Sequence, residues 1–367
     1  MTESHHFRVL EFYSGIGGMH YAFDESGHQG KILRAFDINT TANEVYAHNH
    51  GKKHLAQRNI EAVPMEYYDE QQADVWLMSP PCQPYTRTGN KAGSKDARAK
   101  SFLYLMDILP KMTHPPNYIL LENVKGFEES DSRDFLVEAL MGAGYEFQEL
   151  LITPLQLGIP NSRMRYYCLA RKTDNKPDED AILSDPMLAL KVEKLDKYIE
   201  FKDVADERMQ RYMIPDKTLI KYGALFDIVK ESTRRSCCFT KGYYHYVEST
   251  GSILQMAHEK DVRYGTEAPN ADEYNAKALA LLRTLGLRYF TENEVARLMG
   301  FPVLEGKFSF PEKTSLKQRY RVLGNSINVK VVSHLIRYLL TSKTENISEK
   351  KAEKEAGKDP EVRSESS

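Results

Sequence analysis

The sequence predicts an α/β fold in which a sheet with helices on both faces is interrupted by a second, smaller domain. Two observations lead to this prediction. Between residues 7 and 172, short apolar runs of strand length alternate with segments of helical period. This rhythm then stops and returns only near the C-terminus. The 367 residues suit one large domain or two ordinary ones, and 41% hydrophobic with 28% charged residues is typical of a globular protein.

Six apolar runs are interpreted as the strands of the main sheet. They lie at 8–14, 31–37, 74–79, 118–124, 147–153 and 165–171. Helices are predicted at 101–112 and 133–141, the second followed by a glycine stop in MGAGY. Alternation of strands and helices favours a parallel sheet, and ligands bind beyond the carboxyl ends of such strands. The polar residues predicted at those ends are Ser14, Asp37, Ser79 and Asn123.

The smaller domain is predicted to be inserted into the larger one. Residues 172–186 are acidic and contain proline, which is typical of a linker, and the rhythm is lost over 187–288. Near the end, SINVKVVSHLIRYLL forms one helical apolar stripe that must be buried, and the sheet is the obvious partner. The predicted boundaries are therefore 7–172 for the first part of the main domain, 173–287 for the linker and smaller domain, 288–342 for the return, and 343–367 for a disordered tail.

Charge and cysteine content exclude several classes of protein. The net charge of −2 and the pI of 6.6 give no global sign of nucleic-acid binding, so any basic face must be local. The start MTESHHFRVLEF does not resemble a signal peptide, and no apolar run approaches the ~18 residues of a membrane span. Four cysteines, Cys82, Cys168, Cys237 and Cys238, do not fit a disulfide framework or a zinc site. We therefore expect no metal, no membrane association, and a reducing location in the cytoplasm and also the nucleus.

The stretch FYSGIGGMHYAF predicts a strand, a glycine turn and the start of a helix. Gly15, Gly17 and Gly18 would let a ligand approach the main chain, and helix N-terminal amides favour an anion. The glycine spacing is not that of dinucleotide binders, and a tight structural turn is the alternative interpretation. Asp37, at the end of the next strand, could hold ribose hydroxyls or could instead cap the following helix.

Cys82 lies among three prolines in LMSPPCQPYTRTG, just past a predicted strand. Stiff flanking residues present a thiol accurately, as a nucleophile requires, and Arg87 and Lys91 could favour the thiolate. The alternative is a buried, inert cysteine. Glu122 follows an apolar strand in LLENVKGF, so partial desolvation could raise its pKa and keep it protonated. Its alternative is a carboxylate that caps a turn.

Two arginines alternate in NSRMRYY, so Arg163 and Arg165 would share one face of a strand. They could grip a polar ligand or a carboxylate, or form a surface pair. Together with FYSGIGG, PPCQP, ENV and the late GNSINVKVV, this order of motifs resembles that of the cytosine-5 methyltransferases, over roughly 7–172 and 288–340. The triplet Cys238-Phe239-Thr240 resembles the signature of the eukaryotic DNA methyltransferase 2 family, whose members are tRNA cytosine-5 methyltransferases.

The resemblance implies a Rossmann-like, S-adenosylmethionine-dependent methyltransferase sheet with an inserted target-recognition domain. It implies that Cys82 adds to carbon 6 of cytosine and that Glu122 donates a proton to N3. Arg165, with Arg163 near it, would bind the ring oxygen or hold the loop. The cofactor S-adenosyl-L-methionine would be bound by Ile16, Gly17, Gly18, Asp37, Ile60, Glu61, Ser79 and Asn325.

A local basic segment is the predicted nucleic-acid surface. Residues 208–245 hold eight lysines and arginines against three acids, an excess of five positive charges, interleaved with tyrosines. Cations bind phosphates and aromatic rings stack on exposed bases. The predicted contacts are Arg234, Arg235, Cys238, Phe239, Thr240 and Lys241.

The resemblance implies a tRNA substrate, usually cytosine 38 in the anticodon loop of aspartate tRNA. DNA stays open as the main substrate or as a weak, secondary one, because the chemical residues would be identical. A catalytically silent nucleic-acid binder is a third hypothesis, and the glycine spacing disfavours a dinucleotide oxidoreductase. No obligate protein partner is expected.

Overall fold

The fold was analysed in a computed structural model. It describes residues 5–81, 99–172, 190–201, 206–245, 249–257, 259–260 and 271–341. Among these, the side chains of 271–275 are not considered. The nucleophile predicted at Cys82, most of the loop after it, the predicted linker and the predicted tail lie outside the described residues.

A seven-stranded sheet forms the centre of the larger part of the molecule. Its strands are β1 (Phe7–Phe12), β2 (Gly30–Phe36), β3 (Leu55–Ala56), β4 (Val75–Met78), β5 (Tyr118–Val124), β6 (Glu146–Ile152) and β7 (Arg165–Arg171). Their order across the sheet is β3-β2-β1-β4-β5-β7-β6. The six predicted strands are confirmed with bounds shifted by at most two residues. The strand β3 was missed because it is only two residues long and carries no apolar run.

The prediction of a parallel sheet is wrong at one edge. Strands β2, β1, β4 and β5 pair in parallel, but β7 is antiparallel to both β5 and β6. Residues 153–164, which join β6 to β7, form only a short 3-10 turn. A parallel return needs a crossover that is usually helical, so this connection reverses the chain direction instead.

Helices cover both faces of the sheet. In the first part of the chain they are α1 (Gly18–Glu25), α2 (Thr40–His50), α3 (Met65–Glu70), α4 (Lys100–Ile108) and α5 (Asp131–Gly142). The two helices predicted from periodicity correspond to α4, which a 3-10 turn extends to Lys111, and α5. Side chains of β1 alternate between the two layers, with Val9 in one apolar cluster and Phe12 in the other.

A second, three-stranded sheet lies in the chain between β7 and the C-terminal helix. Its strands are β8 (Ile228–Val229), β9 (Ile253–Gln255) and β10 (Leu287–Tyr289), in the order β10-β9-β8. The remaining helices are α6 (Asp216–Tyr222), α7 (Ala271–Thr284), α8 (Glu292–Leu298), α9 (Leu316–Gly324) and α10 (Val329–Leu340). The fully buried Arg288 makes two hydrogen bonds of 2.7 and 2.8 Å to Glu294 and so fixes β10 to α8.

The C-terminal helix α10 returns to the large sheet, as its apolar stripe predicts. Val331, Leu335 and Leu339 are buried, and the helix packs on α1, β5 and β7. The exact domain boundaries stay a prediction, and β10 falls across the one expected at 287/288. Within the described ranges, none of the helices has the length and apolar character needed to cross a membrane.

Candidate active site

The glycine turn after β1 is tied to the end of β2 by Asp37. One carboxylate oxygen of Asp37 accepts the amide of Gly15 at 2.8 Å, and the other accepts the amide of Asn39 at 2.7 Å. Gly15 and Gly17 have φ of +54° and +85°, which a side chain would disfavour. Asp37 does not cap α2, because the Asn39 side chain does so. The helix-cap alternative for Asp37 is therefore wrong.

The turn exposes main chain rather than side chains. Ile16 is only 1% exposed and packs into the core. A Cβ added at Gly18 would lie 2.7 Å from Ile327, and one at Gly17 would lie 2.6 Å from the His50 ring. Any contact between these residues and a cofactor would therefore be made by their backbone atoms.

A second set of hydrogen bonds joins β1, β4 and β5 at the same edge. The hydroxyl of Ser79 donates to the carbonyl of Tyr13 at 3.1 Å. Tyr13 itself has a φ of +61°, a strained value for a tyrosine. The side chain of Asn123 donates to the carbonyl of Pro80 at 3.4 Å. The chain two residues before Cys82 is thus held beside the end of β5, where Glu122 lies.

Glu122 and Arg165 form an ion pair on adjacent strands. The distance from Arg165 Nε to Glu122 Oε1 is 3.3 Å, and Glu122 is 7% exposed. Burial raises the pKa of Glu122, and the positive charges of Arg165 and Arg163 offset part of that effect. The geometry thus provides a carboxyl group that is more easily protonated than one in water and that lies next to two cations.

Arg163 joins the predicted catalytic strand to the smaller domain. Its Nη1 donates to the Cys238 sulfur at 3.3 Å and to the Phe239 carbonyl at 3.1 Å. Its Nη2 donates to the Gly324 carbonyl at 3.4 Å and also to the Ser326 carbonyl. Arg163 is only 4% exposed, so it is not a surface residue. Its buried guanidinium group links the segments that it contacts. Arg163 is predicted to act with Arg165 at the target base, and these hydrogen bonds give it a structural role as well.

Cys238 lies next to Arg163 and Arg165. The sequence around Cys238 does not predict this position. Its sulfur is 3.3 Å from Arg163 Nη1 and 3.9 Å from Arg165 Nη2. Burial alone would raise the pKa of this thiol, but the two guanidinium groups outweigh burial and lower it. Arg165 therefore faces Glu122 on one side and Cys238 on the other.

Two further residues that sequence reasoning missed hold this junction together. A Cβ at Gly324 would lie 2.1 Å from the amide nitrogen of Lys241, so only glycine lets α9 approach the Cys-Phe-Thr segment so closely. Asn161 is buried and donates to the Ser236 hydroxyl at 3.1 Å and to the Cys237 carbonyl at 3.0 Å. Gly324 belongs to the GNSINVKVV motif, but its contact with Lys241 could not be inferred because the two residues are far apart in the sequence.

The predicted nucleic-acid contacts occupy different environments. Phe239 is 2% exposed and packs against Tyr243 and Phe290, with ring centroids 4.9 and 5.2 Å away. Its ring supports the segment from inside the domain. The remaining contacts stay predictions. Arg234, Arg235 and Lys241 are exposed and Thr240 is half-buried.

Ion pairs neutralise part of the basic segment. Arg235 pairs with Asp227 at 2.7 Å, and Arg211 lies 3.5 Å from Glu292. Arg234 donates to the carbonyl of Val192. Arg235 and Arg211 are thus less available to a polyanion than their charge alone indicates.

The other predicted cofactor residues lie in the turn after β3 and at the end of α9. Ile60 is buried and begins a 3-10 turn, where its carbonyl accepts the Tyr68 hydroxyl at 2.9 Å. Glu61 follows it and is half-buried. Asn325 is exposed at the end of α9 and precedes Ser326, whose hydroxyl would be 3.1 Å from a Cβ at Gly18.

These residues fit S-adenosylmethionine. The glycine turn packs so closely on His50 and Ile327 that it presents its main chain to a ligand. Asp37 and Ser79 are hydrogen-bonded from the neighbouring strands to the main chain of Gly15 and Tyr13. The hydroxyl of Ser14, in the turn, is buried and has no hydrogen-bond partner in the described part of the chain. A buried polar atom without a partner is costly, and a bound polar ligand would satisfy it. The edge of the sheet therefore has the main-chain and polar groups that such a cofactor needs.

The fold and this edge define a class: an S-adenosylmethionine-dependent methyltransferase with a buried acid and an arginine pair beside its cofactor turn. The model of the C-5 cytosine-specific DNA methylase family matches residues 7–341. The chain belongs to this family and, within it, to the DNA methyltransferase 2 (Dnmt2) branch. It is an enzyme that uses S-adenosylmethionine as methyl donor to cytosine carbon 5.

Two curated relatives and one solved structure illustrate the similarity. The tRNA (cytosine(38)-C(5))-methyltransferase of Rattus norvegicus is 40% identical, covering 90% of this chain and 98% of the relative. The DNA (cytosine-5)-methyltransferase of Dictyostelium discoideum is 37% identical, covering 92% and 95%. The crystal structure of S. pombe Dnmt2 methyltransferase superposes with a TM-score of 0.77 at 39% identity, covering 92% of this chain and 98% of that one.

Proposed function

We propose that this enzyme methylates carbon 5 of cytosine 38 in the anticodon loop of a tRNA, with aspartate tRNA as the first substrate to test. The convergence of Glu122, Arg165 and Cys238 carries the proposal, because it joins the acid of the large sheet to the Cys-Phe-Thr segment of the smaller domain. The curated relative from rat, which has this specificity in its name, supports the choice of position 38.

Glu122 is proposed to donate a proton to N3 of the target base. Burial raises the pKa of this carboxyl, so it holds its proton more tightly than a carboxyl group in water does. Protonation at N3 withdraws electrons from the ring, so that carbon 6 accepts a nucleophile. The neighbouring Arg165 keeps the carboxyl oriented and limits how far its pKa can rise.

Cys82 is proposed as that nucleophile. It lies two residues after Pro80, whose carbonyl accepts a hydrogen bond from Asn123, the neighbour of Glu122, so the two groups would approach the same ring. Its sulfur would form a bond to carbon 6. After carbon 5 has accepted a methyl group, a base would take the carbon-5 proton, the ring double bond would re-form, and the carbon–sulfur bond would break to release the thiolate. The cofactor would be held by Asp37, Ser79 and the main chain of Gly17 and would supply the methyl group.

Arg163 is proposed to set the distance between the two domains at the target base. Its four hydrogen bonds join Cys238 and Phe239 to the carbonyls of Gly324 and Ser326. A base must leave its stack to reach a buried acid, and a single-stranded loop makes this least costly. The exposed Lys241, next to this junction, would bind the loop's phosphates.

DNA is the second candidate substrate, and one observation favours it. The Dictyostelium relative, 37% identical over nearly the whole chain, is named a DNA (cytosine-5)-methyltransferase. The groups around Glu122 act on the base alone and do not distinguish ribose from deoxyribose.

The test is to incubate the full chain and S-adenosylmethionine with total tRNA and, separately, with duplex DNA, followed by bisulfite sequencing. The proposal predicts protection of cytosine 38 in aspartate tRNA and little protection in DNA. Glu122→Gln serves as the matched control for background conversion. Methylation of DNA alone would overturn the RNA assignment, and methylation of another tRNA position would overturn the choice of site.

A further inference from the structure

A chain of hydrogen bonds holds the Cys-Phe-Thr segment from the side of the small sheet. It starts at Asp227, the residue before β8, and passes through Ser252, the residue before β9. One carboxylate oxygen of Asp227 accepts the Ser252 hydroxyl at 2.5 Å, and the Ser252 oxygen accepts the amide of Cys237 at 2.7 Å. Because Ser252 is fully buried, its hydroxyl makes both bonds out of contact with solvent.

The same segment is held from its other side by the chain that leads into β7. Asn161, two residues before Arg163, is buried and donates to the carbonyl of Cys237 at 3.0 Å. The amide and the carbonyl of Cys237 are thus both bound, each by a different part of the chain. The sulfur of the next residue, Cys238, lies 3.9 Å from Nη2 of Arg165. The position of this sulfur therefore depends on how firmly Cys237 is held.

The pairing of β8 with β9 does not need the Asp227 side chain. The main chain makes that contact, since the Asp227 carbonyl accepts the amide of Ile253 at 2.8 Å. The carboxylate is used elsewhere, because one oxygen binds Ser252 and the other accepts Arg235 Nη1 at 2.7 Å. The side chain of Asp227 therefore supports the Cys-Phe-Thr segment rather than the sheet.

We propose that Asp227 is a positioning residue for methyl transfer, which acts through Ser252 on the Cys-Phe-Thr segment. The held segment keeps the Cys238 sulfur against Arg165, whose Nε lies 3.3 Å from Glu122 Oε1. Without the carboxylate, the buried Ser252 hydroxyl loses its acceptor, which is costly, and it turns to find another. The segment then loosens and Arg165 is no longer held toward Glu122. This inference rests on the roles proposed above for Glu122 and Arg165 at the target base.

Loss of this link should lower the rate of methyl transfer rather than substrate binding. We expect Asp227→Ala and Ser252→Ala each to lower kcat roughly 10–100-fold, because a misplacement of about 1 Å in groups that position a reaction can cost ~100-fold. The KM for the nucleic acid should not rise, since Asp227→Ala frees the exposed Arg235 to bind phosphate. Cofactor affinity should stay unchanged, because the glycine turn belongs to the large sheet.

The test measures kcat and KM of these variants in the full chain, on whichever nucleic acid the wild type methylates in the bisulfite experiment. A failure of the proposed tRNA specificity therefore changes the substrate of this test and not its result. Each kcat is divided by the concentration of S-adenosylmethionine-binding sites, so that unfolded protein does not count.

Asp227→Asn separates the two partners of the carboxylate. The amide retains an oxygen that can accept the Ser252 hydroxyl, but it has no charge for Arg235. This variant should therefore keep kcat within a few-fold of the wild type. If it is as slow as Asp227→Ala, the ion pair with Arg235 matters rather than the link to Ser252, and the proposal is overturned.

Asp216→Ala is the matched control, because Asp216 is an exposed aspartate on α6 that pairs with Arg283 instead. It should have the kcat of the wild type. A double-mutant cycle with Cys238→Ala then tests whether Asp227 acts through that sulfur. If it does, Asp227→Ala should cost clearly less in kcat when Cys238 is already alanine. Fully additive losses, a loss confined to KM, or wild-type kcat in both Asp227→Ala and Ser252→Ala would each overturn the proposal.

Discussion

At the scale of single residues, Glu122 carries the acid chemistry. Replacing it with glutamine keeps the shape and a hydrogen-bond donor but removes the transferable proton. Loss of a positioned general acid typically costs ~10²–10⁴ in rate. We expect a fall of that size in kcat for tRNA methylation, measured by transfer of labelled methyl groups, with unchanged thermal unfolding. A mutant within a few-fold of the wild type would remove Glu122 from the mechanism.

Glu11 is a second buried acid, and it affects stability rather than catalysis. It is fully buried on β1, and neither carboxylate oxygen has a hydrogen-bond partner in the described ranges. Burial raises its pKa well above the ordinary 4.5. The main chain of His20 and the hydroxyl of Tyr46 offset only part of this rise, because neither is at hydrogen-bonding geometry. The folded state therefore binds this proton more tightly than the unfolded state does.

The sign of the pH effect follows from that difference. Because the native state holds more protons, stability must fall as pH rises from the ordinary pKa toward the raised one. Glu11→Gln cannot ionise at this position. The urea midpoint of the variant should therefore rise relative to that of the wild type as the pH increases above about 5. Urea titrations of both proteins at several pH values measure this. A constant difference between them at all pH values would show that the pKa of Glu11 is the same in the folded and the unfolded state.

At the scale of elements, α9 and the Cys-Phe-Thr segment form a close backbone junction near the site. In Gly324→Ala, the new Cβ would lie 2.1 Å from the amide nitrogen of Lys241 and 2.2 Å from the carbonyl carbon of Thr240. Both are backbone atoms that cannot turn aside. We expect a loss of about 1–3 kcal/mol in the free energy of unfolding. A larger relative loss in kcat/KM should accompany it, because Arg163 is displaced.

Gly142→Ala is the matched control. This glycine lies in the last turn of α5, and an added Cβ there would meet nothing within 4 Å. Alanine should be neutral or stabilising by up to about 1 kcal/mol, with unchanged activity. If Gly324→Ala behaves like this control in both measurements, the close junction does not hold the domains in place.

The elements themselves were largely predictable, because strand-length apolar runs and helical stripes report local burial. The direction of β7 was not, since it depends on the length and conformation of residues 153–164 rather than on its own sequence. Among the site residues, the glycine turn, Asp37 and Glu122 could be found because they end predictable strands. Cys238 and Gly324 could not be placed, because their partners Arg163 and Lys241 lie 75 and 83 positions away in the chain.

At the scale of the whole molecule, substrate choice must depend on charge outside the catalytic edge. Arg234 and Lys241 are exposed, whereas Arg235 is already paired with Asp227. In the double variant Arg234→Glu with Lys241→Glu, each lost phosphate contact should make the slope of log K against log salt shallower by ~0.7–0.9. We therefore expect tRNA binding to weaken and its salt slope to fall by about one to two units.

Lys31→Glu is the control for this experiment, since Lys31 is exposed at the amino end of β2, away from the glycine turn. Cofactor affinity should be unchanged in both variants. If the double variant and Lys31→Glu have the same salt slope as the wild type, the basic segment does not contact tRNA.

The central claim is that Cys82 attacks a cytosine held by Glu122, and a covalent trap tests it most directly. A tRNA with 5-fluorocytosine at position 38 cannot release its carbon-5 substituent, so the bond to the enzyme should survive denaturation. We predict a stable adduct, mapped by mass spectrometry to the peptide that contains Cys82 and absent in Cys82→Ala. An adduct that persists in Cys82→Ala, or that maps to Cys238 with its lowered pKa, would contradict the account.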